Sequence, residues 1–310
     1  MSLSSLRSGG KRSLAAALAR LERDPHGEEA RTLLDAAWHD PRAHVVGITG
    51  PPGVGKSSLC AVLLAAWRRD NKTVGVIAVD PSSKASGGAL LGDRVRIAHD
   101  PADEGSFVRS MAARDRLGGL AGQTLAAMVA MRALFDLVLV ETVGVGQSET
   151  DVAQVADTVV FCVQPGSGDF LQFMKAGIVE IPHLIVVTKG DVGALAERAR
   201  ADASGALSMS VASGEAWRPR TLVVSAQNGA GVDELVAALE AHRMYLAEQG
   251  RLADQRRLQA SRWIVEALHD RYGRSGLARL GALGLDCSLA PGAQPFQRLA
   301  ELSAALEKPR

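Results

Sequence analysis

One segment limits the possible folds of this chain more than any other. It reads Gly50-Pro51-Pro52-Gly53-Val54-Gly55-Lys56-Ser57. It matches the pattern G-x-x-x-x-G-K-[ST] at every fixed position, with an apolar run at residues 45–48 before it and a helical pattern from residue 56 after it. A match in that context is typical of a phosphate-binding loop between a buried strand and a helix, so it predicts an α/β nucleotide-binding fold.

Each residue type in this loop has a physical reason to be there. Glycines let the main chain pass close to phosphate oxygens, and the amides at the start of the next helix direct partial positive charge at the anion. Lys56 adds a full charge for the β- and γ-phosphates, and the Ser57 hydroxyl is suited to bind Mg²⁺. The residues expected to surround the phosphates are Gly50, Pro51, Pro52, Gly53, Val54, Gly55, Lys56, Ser57 and Ser58.

Apolar runs and helical patterns alternate through the middle of the chain. Strands are predicted at residues 45–48, 73–79, 137–140, 158–163, 184–187 and 222–224, and helices at residues 56–69, 123–134, 193–204 and 232–244. Several of the runs are apolar throughout, as strands buried on both faces are. The pattern therefore predicts a doubly wound, mostly parallel sheet, and the polar stretch 206–219 is expected to be a surface loop.

Helical patterns flank this region on both sides. Residues 1–44 form an N-terminal helical extension with a turn near Asp24, residues 45–248 the P-loop domain, and residues 249–310 a C-terminal helical arm. Residues 252–272 carry Arg and Gln on one side and an apolar strip on another. The strip is Leu258, Trp263, Ile264 and Leu268. Such a helix either folds back on its own domain or forms a dimerisation arm.

Composition narrows the classes of partner. The 310 residues carry a net charge of +1, which gives no support to a nucleic-acid or acidic-membrane partner. No apolar run is long enough to span a bilayer. Cys60, Cys162 and Cys287 are far apart and odd in number, which indicates core residues in a reducing compartment, and we expect a cytoplasmic protein.

Acidic residues follow two of the predicted strands. Asp80 comes after one run and Glu141 after another, and the carboxyl ends of parallel strands meet at the ligand crevice. Both are therefore expected to hold Mg²⁺ with Ser57, directly or through water. Glu141-Thr142-Val143-Gly144 resembles the D-x-x-G element of GTPases with Glu in place of Asp, and Gly144 is expected to donate its amide to a γ-phosphate.

The motif that follows the apolar run 184–187 indicates which nucleotide base the site prefers. Thr188-Lys189-Gly190-Asp191 resembles the guanine-binding motif N-K-x-D, with Thr in place of Asn. The Asp191 carboxylate would accept two hydrogens that guanine has and adenine lacks, and Lys189 would pack against the ring. Ser225-Ala226-Gln227 fits the last guanine-contacting loop. GTP is therefore favoured over ATP.

These motifs together resemble the MeaB/ArgK-like GTPases, over roughly residues 45–245. Beyond the P-loop, the resemblance rests on residues 79–83, 87–94, 141–149 and 165–169, with Gln172 and Lys175 after the last. It implies a SIMIBI-class G domain, a homodimer built largely from C-terminal helices, and a chaperone role for a cobalamin-dependent acyl-CoA mutase of the methylmalonyl-CoA mutase type. It implies that the protein gates adenosylcobalamin delivery and protects the mutase.

The resemblance also implies roles for further residues. Asp93 would lie in a switch and reach the metal, and the loop from Gly166 to Lys175 would be a second switch that the mutase senses. Thr188, and Phe170 where an acidic residue is common, depart from the family pattern. The expected catalytic group is Lys56, Asp93, Gly144, Gln147 and Lys175, and the expected metal ligands are Ser57, Asp80, Asp93 and Glu141.

The rate of hydrolysis can also be anticipated. Val145 follows Gly144, so no Gln stands there to orient the attacking water, and Gln147 is close but not equivalent. Slow intrinsic hydrolysis that a partner stimulates is therefore expected.

Two alternatives remain open. A nickel metallochaperone GTPase would need soft or imidazole ligands, whereas His26, His39 and His44 are dispersed and Cys60 is alone in a helix. A P-loop kinase would need an acceptor pocket with a general base, for which no further constellation is visible.

Overall fold

The computed structural model of the chain describes residues 2–81, 97, 99–113, 122–142, 144, 151–166, 182–210 and 217–308. Its strands are β1 (His44–Thr49), β2 (Val74–Pro81), β3 (Ser106–Ala113), β4 (Leu137–Glu141), β5 (Thr158–Val163), β6 (Leu184–Val187) and β7 (Arg220–Val223). They form one sheet in the order β3-β2-β4-β1-β5-β6-β7, and every pairing is parallel. The predicted doubly wound α/β fold is confirmed.

Nine helices belong to the same described ranges. They are α1 (Leu3–Ser8), α2 (Gly10–Arg23), α3 (Glu28–His39), α4 (Lys56–Arg69), α5 (Gly122–Arg132), α6 (Ala194–Ser210), α7 (Val232–Ala247), α8 (Arg251–Ala282) and α9 (Pro295–Glu307). A 3₁₀ turn, Val152–Gln154, precedes β5. Among the described residues, no helix is long and apolar enough to cross a bilayer.

Two sequence expectations need correction here. Strand β3 was missed, because this edge strand has few β-branched residues and depends on pairing with β2. The expected surface loop at 206–219 is wrong at its start, since α6 continues to Ser210 and buries Ala206 and Leu207. Their burial against the sheet overrides the weak helix propensity of the glycine and serines around them.

The sheet is buried on both faces. Residues Val45 and Val46 of β1 point to opposite sides, Val45 into the core beneath α2, α3 and α5, and Val46 into the core beneath α4 and α7. Gly47 allows a close approach, since a Cβ there would lie 2.3 Å from the Val152 side chain. The 3₁₀ turn Val152–Gln154 therefore rests directly on the strand that leads into the P-loop.

Helix α8 folds back against α7, α9 and the turn Val152–Gln154. Ile264 and Leu268 are buried as expected, but Leu258 is 52% exposed, whereas Arg256 and Gln259 are only 8% exposed. The expectation that Leu258 shares the apolar strip is wrong, because polar groups on that turn of the helix find partners inside the protein and take the inward face. A break in the helical main chain at Gly273 (φ 65°) ends the straight part of the helix.

The two terminal helical regions contact each other. Asp35 of α3 accepts hydrogen bonds from the Phe296 and Gln297 amides at 3.0 and 2.9 Å, and so satisfies the start of α9. The apolar side chains of α1 to α3 share one core with the sheet and with Phe296. The N-terminal helices are thus packed into the same core as the strands.

Candidate nucleotide-binding site

The loop between β1 and α4 needs its glycines. Gly50 has φ 138° and Gly55 has φ 102°, both in the region that L side chains rarely adopt. A Cβ at Gly50 would also lie 2.4 Å from the carbonyl oxygen of Cys162 on β5. Gly55 directly precedes α4, so the loop delivers the chain into the amino end of that helix, where its first amides lack intrahelical acceptors.

Lys56 and Gly144, two of the residues expected to contact phosphate, lie close together. Lys56 Nζ donates to the carbonyl oxygens of Gly50 and Pro51 at 2.8 and 3.0 Å, and its side chain is buried. Gly144 has φ 76°, and a Cβ there would lie 2.0 Å from the Gly50 carbonyl oxygen and 2.5 Å from Lys56 Nζ. The main chain that follows β4 therefore reaches the phosphate-binding loop, where any side chain at residue 144 would obstruct the lysine.

A hydroxyl and a carboxylate meet beside this loop. Ser57 Oγ, in the first turn of α4, donates to Glu141 Oε1 at the end of β4, at 2.5 Å. Thr142 and Thr49 support the same edge, with their hydroxyl oxygens 2.9 Å apart. Hydroxyl and carboxylate oxygens are ligands that Mg²⁺ prefers, and Mg²⁺ commonly uses only one or two carboxylates together with phosphates and water.

Asp80 belongs to the neighbouring strand. Ala78 of β2 is aligned with Glu141 of β4, so Asp80 lies two residues further toward the same edge. Its side chain lies outside the described residues, as do the expected site residues Asp93, Gln147 and Lys175, together with Val143, Phe170 and Gln172. The described residues contain no group of three or more His, Cys, Asp or Glu side chains that could hold a metal ion.

The predicted guanine-binding residues meet at the ends of β6 and β7. Asp191 Oδ1 accepts a hydrogen bond of 2.8 Å from Ser225 Oγ, which in turn lies 3.3 and 3.4 Å from the amides of Gln227 and Asn228. Ser225 is fully buried and Asp191 is exposed. Ser225 therefore orients the Asp191 carboxylate and ties its loop to that of Ala226 and Gln227.

Thr188 links this loop to the phosphate loop. Its hydroxyl lies 2.6 Å from the Val54 carbonyl oxygen and 3.1 Å from the Val163 carbonyl oxygen, and the residue is buried. The hydroxyl donates its hydrogen within this pair, so the P-loop, β5 and the base loop are held together. The replacement of Asn by Thr thus keeps a connection between the base and phosphate halves of the site.

Gln164 is a site residue that the sequence analysis missed. Lys189 Nζ donates to Gln164 Oε1 at 2.7 Å, and Lys189 has φ 54°, in the left-handed region that non-glycine residues seldom adopt. Gln164 directly follows β5, and that position beside the base strand is the signal that could have identified it. Its carboxamide oxygen holds the Lys189 ammonium group beside the base loop.

Two cysteines lie beneath the phosphate loop. Burial raises the pKa of the Cys60 thiol well above its usual value, and the nearby Glu141 carboxylate, to which the thiol is hydrogen-bonded, adds to this effect. Burial also raises the pKa of Cys162 to about 12. Both thiols therefore stay protonated. The expectation of core residues is met by Cys60 and Cys162 and is wrong for Cys287, which is only half-buried.

Comparison with known proteins gives a consistent family. The family profile described as Methylmalonyl Co-A mutase-associated GTPase MeaB matches residues 14–276. GTPase ArgK of Escherichia coli is 36% identical over 269 residues, covering 85% of this chain and 81% of ArgK. The mitochondrial methylmalonic aciduria type A homolog of Mus musculus is 37% identical over 233 residues, covering 74% and 56%. A protein of Pyrococcus horikoshii named provisionally as a GTPase is 41% identical over 256 residues, covering 81% and 80%.

Solved structures agree with the sequence matches. A crystal structure of LAO/AO transport system kinase superposes with a TM-score of 0.67 at 29% identity, covering 99% of this chain and 96% of that one. HypB from Helicobacter pylori in complex with nickel superposes with a TM-score of 0.51 at 12% identity, covering 70% and 95%. The second likeness shows a shared fold and nothing further.

Proposed function

This chain belongs to the MeaB family of methylmalonyl-CoA mutase-associated GTPases, and from that premise we propose that it is a Mg²⁺-dependent GTPase that serves a cobalamin-dependent acyl-CoA mutase as a chaperone. In this role it gates the delivery of adenosylcobalamin and protects the mutase. The family name and the mouse relative's name support a mutase of the methylmalonyl-CoA type as the partner.

One observation carries the GTPase assignment. The phosphate-binding lysine, the Ser57–Glu141 oxygen pair and the Asp191–Ser225 pair all lie at the carboxyl edge of one parallel sheet. This edge is where open α/β sheets bind their ligands. The three groups suit, in order, the β- and γ-phosphates, a magnesium ion and a guanine base.

The protein's own residues act mainly by positioning. When nucleotide binds, Lys56 would donate to phosphate oxygens in place of the Gly50 and Pro51 carbonyl oxygens. The Gly144 amide would donate a hydrogen bond to the γ-phosphate. Ser57 and Glu141 would hold Mg²⁺, which neutralises charge on the phosphates, and Asp80 and Asp93 are further proposed ligands. Gln147 and Lys175 complete the proposed catalytic group. We expect GTP hydrolysis to be slow until a partner orders these residues.

The remaining assignments follow from the family. We propose a homodimer formed through the C-terminal arm, residues 249–310, and a mutase contact that involves the loop from Gly166 to Lys175. The division into residues 1–44, 45–248 and 249–310, the lack of a nucleic-acid or membrane partner and a cytoplasmic location are parts of the same proposal. GTP and GDP are the bound nucleotides.

The nickel-chaperone alternative gains no support from the described residues. His44 lies buried in β1, Cys60 is buried and protonated beneath the P-loop, and no described cluster offers three metal-binding side chains. The kinase alternative is separable by its product, because a kinase places the γ-phosphate on an acceptor, whereas a GTPase releases it as inorganic phosphate.

The test of the base assignment is Asp191→Asn. Asparagine donates a hydrogen where guanine also donates, so the variant should lose at least about tenfold in GDP affinity and gain affinity for xanthosine diphosphate. Glu197→Gln, an exposed acidic change on the following helix α6, is the matched control and should leave both affinities unchanged. Unchanged GDP affinity in Asp191→Asn would refute the base assignment.

The test of the activity is release of inorganic phosphate from Mg²⁺-GTP, with and without the methylmalonyl-CoA-type mutase of the same organism. Slow release that the mutase accelerates is expected. Transfer of the phosphate to an acceptor would favour the kinase, and fast release by the isolated chain would refute the partner-dependent rate.

A further inference from the structure

The chain segment that lies beyond Gly144 is held by helix α8. After Gly144, the structure describes the chain again from Asp151, through the turn Val152–Gln154 to Asp157, the residue before β5. We call residues 151–157 the return segment. Its main chain receives side-chain hydrogen bonds from one face of α8, and that face lies outside the sheet domain in sequence.

Gln259 makes the central contact. Its Nε2 donates to the carbonyl oxygens of Ala153 and Ala156, both at 2.8 Å. The side chain is almost fully buried, so these two bonds use both hydrogens of its amide group away from competing water. A single carboxamide thus spans the turn of the return segment.

Neighbouring residues of α8 reinforce this contact. Gln255 Nε2 donates to the carbonyl oxygens of Ala156 and Asp157 at 3.3 and 3.0 Å. Glu266 accepts a bond of 2.7 Å from Gln154. Successive turns of α8 therefore hold the return segment, and the contacts are mostly to main-chain oxygens, which depend on the position of the segment and hardly on its sequence.

The return segment is connected to the proposed phosphate site in two ways. Val152 packs on Gly47 of β1, and β1 runs directly into the P-loop. In the other direction the segment is joined by the chain to Gly144, which abuts Lys56 Nζ and the Gly50 carbonyl. We therefore expect a shift of residues 151–157 to affect the position of Gly144.

We infer that Gln259 is a positioning residue of the GTPase, through which α8 sets the preference of the site for GTP over GDP. The inference rests on the proposed GTPase function and deepens it. GDP lacks the γ-phosphate that Gly144 would contact. The Val152–Gly47 contact is made by side-chain packing and not by the Gln259 carboxamide, so we expect removal of that carboxamide to act through Gly144, to weaken GTP binding and to spare GDP binding. Helix α8, which lies outside the sheet domain in sequence, becomes a support of the nucleotide switch.

Two substitutions test the role of the carboxamide. Gln259→Met keeps the length and the burial but removes both donors, whereas Gln259→Glu places an acceptor against two carbonyl oxygens. The loss of two hydrogen bonds in Gln259→Met should lower the ratio of GTPγS affinity to GDP affinity about 5- to 10-fold, with a larger drop for Gln259→Glu. Arg262→Ala, a change on the same helix outside these contacts, is the control and should leave the ratio unchanged.

The measurement is titration of the full chain with GTPγS and with GDP in Mg²⁺, alongside thermal unfolding of each variant. A lowered ratio with GDP affinity within about twofold of the parent supports the inference. Equal loss of both affinities, or no loss of either in folded Gln259→Met, overturns it. If Gln259→Met fails to fold, Gln255→Met provides the same test on the adjacent turn, and the same results support or overturn the inference.

The parent protein distinguishes failure of the inference from failure of the proposed function. If the unaltered chain binds neither GTPγS nor GDP, the proposed GTPase function fails. If it binds both and the Gln259 variants keep the parent ratio, the GTPase function stands and the role of Gln259 is refuted.

Discussion

The two edges of the sheet use polar residues in opposite ways. At the carboxyl edge, Lys56, Ser57 and Asp191 are held by contacts to loop and strand-end atoms that a ligand can replace. At the amino edge, Asp157 and Arg256 form a buried ion pair that the protein itself satisfies. Both edges concentrate charge, but only the first presents groups whose partners can be exchanged for nucleotide.

The ion pair at the amino edge is closed within the protein. Asp157 accepts bonds from Arg256 Nε at 2.8 Å and Nη2 at 2.5 Å and from the Val45 amide at 2.8 Å, and Arg256 Nη2 also donates to the Ala43 carbonyl at 2.9 Å. Burial by itself raises the pKa of Asp157, but the charge and hydrogen bonds of Arg256 outweigh it, so the pKa is lowered. This pair ties α8 to β1 and β5.

Histidines at the same edge are buried in their neutral form. The Thr158 hydroxyl lies 2.6 Å from His44 Nε2 and 2.7 Å from His242 Nδ1, and the His183 and His242 rings lie against each other with centroids 4.2 Å apart. Burial lowers the pKa of His44 and of His183 to about 4, and it lowers that of His242 further. The Thr158 hydroxyl hydrogen needs one unprotonated ring nitrogen as its acceptor, so protonation of both rings is opposed.

A cluster of charged and imidazole groups therefore need not be a binding site. The Asp157–Arg256 pair at the amino edge makes its hydrogen bonds within the chain, and these bonds support stability. Lys56 and Ser57 at the carboxyl edge lie beside glycines and the first amides of α4, which leave room for phosphate.

The largest expected effect comes from breaking the ion pair at the amino edge. Arg256→Met should leave Asp157 buried without a counter-charge and lower the free energy of unfolding by about 3–5 kcal/mol. Denaturant unfolding would measure the loss. Arg257→Met, at a half-exposed position on the same helix, should change the free energy of unfolding by less than about 0.5 kcal/mol. The double variant Asp157→Asn/Arg256→Met should recover part of the loss. If Arg256→Met is as stable as Arg257→Met, the amino edge does not have the structural role assigned to it.

A smaller effect is expected at the carboxyl edge. It should appear in nucleotide affinity and not in the free energy of unfolding. Lys56→Ala removes charge-assisted bonds to phosphate, each worth about 1.5–3 kcal/mol, so GTP affinity should fall about 100-fold. Calorimetric titration with GTPγS measures it, and the exposed Lys72→Ala, just beyond the same helix, is the control. A GTPγS affinity in Lys56→Ala within about threefold of the parent would contradict the assignment of the phosphate site.

The smallest effect concerns pH. Because the pKa of folded His44 and His183 lies near 4 and that of unfolded His is about 6.5, the unfolded state binds protons more readily between these values. The contribution of these neutral histidines to the free energy of unfolding is therefore fully present above about pH 7. It decreases as the pH falls, by about 1 kcal/mol per buried histidine between about pH 7 and pH 5.5.

Unfolding curves of the parent and of His242→Gln across this pH range check the dependence. The variant should be less stable at about pH 7 but lose stability less steeply, by about one proton in the slope. Parallel pH profiles would show that His242 does not titrate on unfolding.

Much of the nucleotide site was predictable from sequence, since its parts are local. The P-loop, Glu141 and Asp191 each lie at or just beyond the end of an apolar strand, and parallel strands bring such ends to one edge. Gln164 also directly follows an apolar strand, so its position could have identified it. Gln259 was not predictable in this way, because it acts on residues distant in sequence and gives no periodic or motif signal.

Sequence by itself determined the family, the parallel α/β fold and the residues expected to face phosphate and base, because these depend on short motifs and on strand–helix alternation. Only the tertiary structure decided which face of α8 is buried, that Thr188 bridges Val54 and Val163, and that Asp157 and Arg256 neutralise each other. The physical reason is that a polar side chain can enter the interior once its partner is there, and the partner comes from another part of the chain.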